Sequence, residues 1–386
     1  MSANHRPLFA LVAGEDSGDQ LGAALIDQLR QHFPSAVFVG IGGRHMRAAG
    51  METWWDSEEL AVFGLFEVVG DLPRLWRLRR ALLKRIRQAA PTVFVGIDAP
   101  DFNLGLEIQL RSGGVRTAHY VSPTVWAWRP GRVKKVARAA DRVLCLFPFE
   151  PDFYSAHPMV AHYVGHPLAD QIPPGADQTE ARRALSIEGR PTLVALLPGS
   201  RVSEVKRLAP PMIAAARQLA GQRPGVRFIA AMANESVTRI FHSELVKTST
   251  VAIDLIPGQP RQVIAAADVV ICASGTATLE TLLINRPMVV VYKIAPMTYR
   301  LIRAFKLVKS PHFSLPNILA GEALVPELLQ HEVTAERLTV EVLSWLNDDQ
   351  KRARLSQRFD DLHHALRCQA SVRAADAICE LVRTDT

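Results

Sequence analysis

The sequence predicts an α/β protein of two Rossmann-like domains facing a cleft, with a helical C-terminus. Length is the first reason: 386 residues exceed one ordinary core and suit two domains of about 150–200 residues. Alternation is the second. Short apolar strands at Leu8–Ala13, Ala36–Gly40, Thr92–Ile97, Thr117–Val121 and Arg142–Phe147 are separated by helical patterns. A second series follows at Thr192–Leu197, Val226–Ala231, Val251–Ile256, Val269–Ala273 and Met288–Tyr292. Such alternation implies right-handed βαβ units and mainly parallel sheets. The third reason is a pair of strand-to-helix turns in the second series, each suited to a diphosphate.

The domains are expected at residues 1–170 and 186–350, with the proline-containing stretch Pro167–Pro191 as their connection. The helices of residues 351–386 (Lys351–Arg367 and Val372–Arg383) are expected to pack back on an N-terminal domain. Ligands of parallel sheets bind beyond the carboxyl ends of the strands, so the substrates are expected in the cleft.

In the turn Ser274-Gly275-Thr276-Ala277, a strand runs into a helix that carries Glu280 in its second turn. The open N–H groups and positive end of a helix suit a diphosphate, and Glu280 is placed to accept hydrogen bonds from ribose hydroxyls. Ser274 or Thr276 acting as an ordinary N-cap explains the turn equally well. The matching turn Pro198-Gly199-Ser200-Arg201 after Thr192–Leu197 tips the balance, because it adds an arginine. Two such turns argue for a sugar nucleotide or similar ligand.

In the first series, Leu8–Ala13 runs into Gly14-Glu15-Asp16-Ser17-Gly18-Asp19. Its glycines are four apart, against the GxGxxG spacing of dinucleotide folds, so a nicotinamide enzyme is disfavoured. Asp98, with Pro100 and Asp101 after it, ends the strand Thr92–Ile97. A carboxylate there suits a general base, although the same residues also read as a helix N-cap. HExxH, GxSxG and paired cysteine–histidine motifs are absent from the sequence, and no metal or cofactor is expected.

Hydrophobic content of 48% and charged content of 22% are those of a globular enzyme. Cys145, Cys272, Cys368 and Cys379 lack CxxC spacing and read as reduced thiols. The N-terminus runs directly into a strand, and no apolar run approaches the roughly 20 residues of a membrane span. A cytoplasmic protein is expected.

The net charge of +7 is local: Pro73–Gln88 holds Arg74, Arg77, Arg79, Arg80, Lys84, Arg85 and Arg87 and no acid, and those seven equal the whole excess. Leu72, Leu75, Trp76, Leu78, Leu82, Leu83 and Ile86 form an apolar stripe on the same helix, with most of the cations opposite. Together with Phe63, Leu65 and Phe66 just upstream, this predicts contact with an anionic membrane surface rather than with nucleic acid.

Several of these segments resemble the lipid A disaccharide synthase family. They are Ala13–Asp19, Gly96–Asn103, the Tyr120–Trp128 stretch with Ser122 and Trp126, Val164–Pro167, Leu197–Arg201, Ala273–Glu280 and Ser314-Leu315-Pro316-Asn317. They follow the family's order over nearly the whole chain. Asp16 departs from the small residue expected there.

The resemblance implies a GT-B glycosyltransferase fold and an inverting transfer from UDP-2,3-diacylglucosamine to the 6-hydroxyl of 2,3-diacylglucosamine 1-phosphate (lipid X). The product would be a β-1,6 tetra-acyl disaccharide 1-phosphate plus UDP. It implies Asp98 as base, and Gly199, Ser200, Arg201, Ser274, Gly275, Thr276, Ala277, Glu280 and Asn317 around the sugar nucleotide. Gly14, Glu15, Ser17, Gly18, Asp19, Asp101, Ser122 and Trp126 would stand on the acceptor side. A homodimer is left open. The rival readings are another GT-B enzyme acting on a UDP-sugar and a non-catalytic nucleotide-binding peripheral membrane protein.

Overall fold

The computed structural model describes residues 6–60, 67–125, 131–248, 251–295, 297, 299–300 and 310–383. The chain divides into two compact units: residues 1–170 together with 366–386, and residues 171–365.

In the first unit, β1 (Leu8–Ala13), β2 (Val37–Gly42), β3 (Glu52–Asp56), β4 (Val93–Ile97), β5 (Arg116–Tyr120), β6 (Arg142–Cys145) and β7 (Val160–Tyr163) form one parallel sheet. Its order is β3-β2-β1-β4-β5-β6-β7. The helices α1 (Asp16–His32), α2 (Arg44–Ala48), α3 (Glu67–Ala89), α4 (Pro100–Arg111) and α5 (Arg132–Ala139) connect the strands. Parallel strands are covered on both faces, which is why Phe9–Ala13 and Val93–Ile97 are apolar or glycine throughout and buried. The strand order reverses between β1 and β4, so the turns after these two strands open at the switch point.

The second unit repeats the plan. The strands β8 (Leu193–Leu197), β9 (Arg227–Met232), β10 (Ile253–Pro257), β11 (Val269–Ala273), β12 (Met288–Tyr292) and β13 (Glu327–Leu329) form a parallel sheet ordered β10-β9-β8-β11-β12-β13. Its switch point falls between β8 and β11. Among its helices are α6 (Gln178–Ala184), α7 (Val202–Gln222), α8 (Glu235–Thr248), α9 (Pro260–Ala266) and α10 (Thr276–Leu283). The three strands that apolar runs did not reveal, β3, β7 and β13, all lie on sheet edges, where one side needs no strand partner.

The chain returns to the first unit at Leu366 rather than at residue 351. The helix Asp349–Leu366 stays with the second unit because Asn285 Nδ2 donates to Ser356 Oγ at 2.9 Å and Asp360 Oδ1 at 2.8 Å. The helix Ala370–Arg383 then packs Ala374, Ile378 and Leu381 into the same core as Leu25, Ile26 and Leu29 of α1.

The Val164–Pro167 segment is the seat of this return. Gly165 has φ +93°, and a Cβ there would lie 2.6 Å from Cys368 Cβ. His166 N–H donates to Leu366 O at 2.9 Å. Burial pushes the His166 imidazole down to about 4, so it is neutral near pH 7 and Nδ1 accepts from Leu168 N–H at 3.2 Å. Asp170 caps the returning helix, accepting from Gln369 N–H at 2.9 Å and Ala370 N–H at 2.6 Å. Asp170→Ala is expected to cost about 1 kcal/mol, read as a lower urea midpoint of the intact protein. An unchanged midpoint would show that the cap adds nothing.

Part of α3 is ordinary packing. Leu82, Leu83 and Ile86 turn inward against Val12, Val39 and Phe94, so this stretch of the apolar stripe is spent on the sheet. Trp76 is 55% exposed. Phe63, Leu65 and Phe66 lie outside the described residues. No helix among the described residues is long and apolar enough to cross a membrane.

Candidate active site

The four turns singled out in the sequence follow the two strands that flank each switch point. In the second unit they enclose a cavity of about 380 Å³, within the range of small-ligand sites. Gly199, Ser200 and Arg201 form one wall, and Ser274, Gly275, Thr276, Ala277 and Glu280 form another. Gly199 stands at φ +106°, where a Cβ would lie 2.5 Å from Glu204 Oε2. Only glycine lets the chain turn this tightly into α7. Gly275 has φ +146° and precedes α10, whose end has no side-chain cap. Both hydroxyls read as candidate caps are otherwise placed: Ser274 Oγ donates to Phe313 O at 3.3 Å, while Thr276 begins the helix itself. The first N–H groups of α10 therefore open into the cavity at the positive helix end.

Three charged residues, Arg201, Glu204 and Glu280, line the same cavity. Arg201, at the start of α7, places its guanidinium 3.1 Å from Glu204 Oε1, and its side chain is 80% exposed. Glu280 is more enclosed, and Oε1 accepts from Arg261 Nε at 2.8 Å. The sequence reading missed Arg261, because a single arginine opening α9 carries no motif. It also missed Asn234, whose Nδ2 donates to Ser200 O at 3.3 Å and ties the turn down. Asn317 is separate from this group. It is buried, with Nδ2 on Val325 O and Oδ1 accepting from Leu324 and Val325 N–H groups, all at 2.9 Å. Its side-chain oxygen and one N–H hold that loop, and it is not among the residues that line this cavity.

In the first unit, Asp98 and Ala99 join β4 to α4 with φ values of +51° and +42°. Left-handed backbone at two successive non-glycine residues is strained, at about 1–3 kcal/mol each. Val121, at the end of β5, has φ +77°, a real outlier for a β-branched residue. Three left-handed non-glycine residues thus gather at the carboxyl edge of this sheet. The capping alternative for Asp98 is not what the geometry gives: Ala99 occupies the N-cap position, and no side chain caps α4. Asp98 N–H donates to Tyr120 O at 2.8 Å. Among the described residues its carboxylate has no hydrogen bond or ion pair.

The neighbouring acids behave differently. Asp101 pairs with Arg132 and is 81% exposed. Asp19 is buried and caps α2: Oδ1 accepts from Gly43 N–H at 2.6 Å and Met46 N–H at 3.2 Å, and Oδ2 from His45 N–H at 2.8 Å. Asp19 thus braces the start of α2 from the turn expected on the acceptor side. Asp16, Asp19 and His45 bring ligand atoms within 4.8 Å of one another, the one such group among the described residues. Its central carboxylate is already filled by backbone N–H groups.

Glu15 and Ser17 are exposed after β1, and Gly18 is buried. A Cβ on Gly14 would lie 3.2 Å from Ala99 Cβ, so the first turn abuts the Asp98 turn. Ser122 is buried on Tyr154 OH at 2.9 Å, and burial raises that phenol, keeping it neutral. Trp126 lies outside the described residues.

Comparison with known proteins separates fold from family. The UDP-GlcNAc 2-epimerase of Neisseria meningitidis, solved with UDP-GlcNAc, is similar at a TM-score of 0.65, covering 97% of this chain and 100% of that one at 9% identity. A structure titled as the glycotransferase of kitacinnamycin is similar at 0.62, covering 98% and 100% at 16% identity. At such identities the likeness shows only the fold, two parallel-sheet α/β domains of GT-B type. The lipid-A-disaccharide synthase of Xylella fastidiosa (strain M12) is 48% identical over 379 residues, 98% of each chain. The profile of the lipid-A-disaccharide synthetase family matches residues 9–378, spanning all four turns and the first part of the returning C-terminal helix. The chain belongs to the lipid-A-disaccharide synthetase family.

Proposed function

We propose that this enzyme transfers 2,3-diacylglucosamine from UDP-2,3-diacylglucosamine to the 6-hydroxyl of 2,3-diacylglucosamine 1-phosphate. The acceptor oxygen attacks the anomeric carbon, the bond from that carbon to the diphosphate breaks, and UDP leaves with the electron pair. Asp98 takes the hydroxyl proton. The observation that carries this assignment is its strained, uncommitted carboxylate at the switch point of the first sheet. Of the nearby carboxylates, Asp19 is spent on a helix cap and Asp101 on an arginine, while Glu15 is exposed on the adjoining turn. Incubation with both substrates should yield a tetra-acyl disaccharide 1-phosphate and UDP by mass spectrometry. UDP released without disaccharide would overturn the transfer.

The diphosphate is held by the first N–H groups of α10 and by Arg201, and Glu280 takes the ribose hydroxyls. These supply positive potential where charge develops on the leaving group, so no metal is needed. Turnover should survive EDTA. Full loss in EDTA with recovery in magnesium would reassign the leaving-group chemistry.

The amphiphilic substrates are met at a membrane surface by α3, with the protein on the cytoplasmic face. Arg77, Arg80 and Lys84 have no carboxylate partner among the described residues, and Arg80 lies 5.3 Å from the centre of the exposed Trp76 ring. Trp76, Arg80 and Lys84 border an open groove of about 540 Å³ that also includes Arg79 and Arg87. Two cations of the segment are partly neutralised: Arg74 pairs with Glu59 at 2.6 Å and Arg85 approaches Glu52 at 3.7 Å. Each remaining cation adds about 1 kcal/mol of attraction to anionic lipid. Reversing Arg77, Arg80 and Lys84 to glutamate should release the protein from anionic vesicles at low salt. Equal co-sedimentation of wild type and triple variant would return α3 to a purely structural role.

A further inference from the structure

Beneath Asp98 lies a buried polar cluster that the transfer chemistry leaves unused. Asn103 and Glu107 sit one turn apart on α4, and His119 lies on β5; all three are fully buried. His119 Nδ1 and Glu107 Oε1 are 2.7 Å apart. Gly96 of β4 is in register with His119 and makes the room: a Cβ there would lie 2.1 Å from Glu107 Oε1 and 2.9 Å from Asn103 Cβ.

Asn103 is the member that reaches the base. Its Nδ2 donates to Asp98 O at 2.8 Å and approaches Val12 O at 3.3 Å and Ile97 O at 3.4 Å. One amide thus gathers the ends of β1 and β4, the strands flanking the switch point, and grips the peptide that follows Asp98. Asn103 Oδ1, Glu107 Oε2 and His119 Nε2 have no partner. An apolar core would avoid that cost, so packing stability alone does not explain these residues. What the cluster does hold is Asp98 and Ala99 in left-handed backbone, a conformation both would leave if released.

We infer that Asn103 is a positioning residue for the reaction: it fixes the strained Asp98 turn so that the carboxylate meets the acceptor hydroxyl, with the Glu107–His119 pair buttressing it from below. This rests on Asp98 being the base. A displacement of about 1 Å at a reacting group can cost on the order of 10²-fold in rate. The loss should fall on the chemical step, because Asn103 is buried away from the substrates.

The experiment is a double-mutant cycle read in kcat and KM. Asn103→Leu keeps the volume and removes the donor; it should lower kcat about 10–100-fold with both KM values within about 2-fold. In an Asp98→Asn background the same change should cost under about 3-fold, because the group it positions is already gone. Equal losses in both backgrounds, or a raised KM at unchanged kcat, would overturn the positioning role while leaving Asp98 as base. Normal turnover by Asp98→Asn alone would overturn both. If Asn103→Leu does not fold, Asn103→Asp, which replaces the amide donor with a carboxyl oxygen at the same size, carries the same cycle and the same expected numbers.

Discussion

Asp98→Asn should lower turnover by about 10²–10⁴-fold while the unfolding midpoint barely moves. The rate falls because asparagine cannot accept the proton of the acceptor 6-hydroxyl. The fold should persist for two reasons. The Asp98 carboxylate bonds to no described residue, so no folded-state interaction is lost. Asparagine also tolerates the left-handed backbone that this turn imposes, better than most residues do. Substrate affinities should change little, because the deficit lies in proton transfer. Steady-state kinetics beside a denaturation curve make the check. Near-normal turnover would pass the role to Glu15, which is exposed on the adjoining turn after β1.

Arg201→Ala should slow transfer by about 10²–10³-fold, the scale for losing one donor from a developing negative charge. The guanidinium rests on Glu204 in a pair whose arginine side is 80% exposed. Such a surface pair is worth only about 0–1 kcal/mol, so leaving it for a leaving diphosphate costs little. The interaction gained is a charge-assisted one with a doubly charged group, which is considerably stronger. Glu280→Ala should act on binding instead, weakening UDP by about 10–100-fold through lost hydrogen bonds to a charged acceptor. Calorimetric titration with UDP separates the two. Unchanged affinity in Glu280→Ala would remove that residue from the nucleotide, and unchanged turnover in Arg201→Ala would leave the α10 end to stabilise the diphosphate alone.

The central strands of both sheets were legible because parallel strands buried on two faces must be continuously apolar, as Val93–Ile97 and Val269–Ala273 are. The edge strands were not. Glu52–Asp56 reads Glu-Thr-Trp-Trp-Asp, a pattern without an apolar run, and it becomes a strand only because β2 offers it a free ladder. Among site residues, the glycines announced their turns, since Gly199 and Gly275 hold backbone that other residues adopt only under strain.

Acids and amides were harder to read, because a carboxylate's role depends on which N–H groups the fold brings to it. Asp19 stands three residues from Asp16 in sequence, yet its partners lie 24 to 27 residues away at the start of α2. Asn317 carries the family motif but serves the loop at Leu324 and Val325.

By itself, then, the sequence determined the two-sheet architecture and the four turns at the strand ends, because local apolar patterning and glycine placement act over a few residues, and its motifs carried the resemblance to the family. Tertiary structure alone decided three things: that Asp98 is strained and uncommitted while Asp19 is a cap, that Leu82, Leu83 and Ile86 belong to the core rather than to a surface, and that the chain returns to its first unit at Leu366. Each depends on contacts between segments far apart in sequence, and hydrogen-bond satisfaction and close packing are settled only when those segments meet.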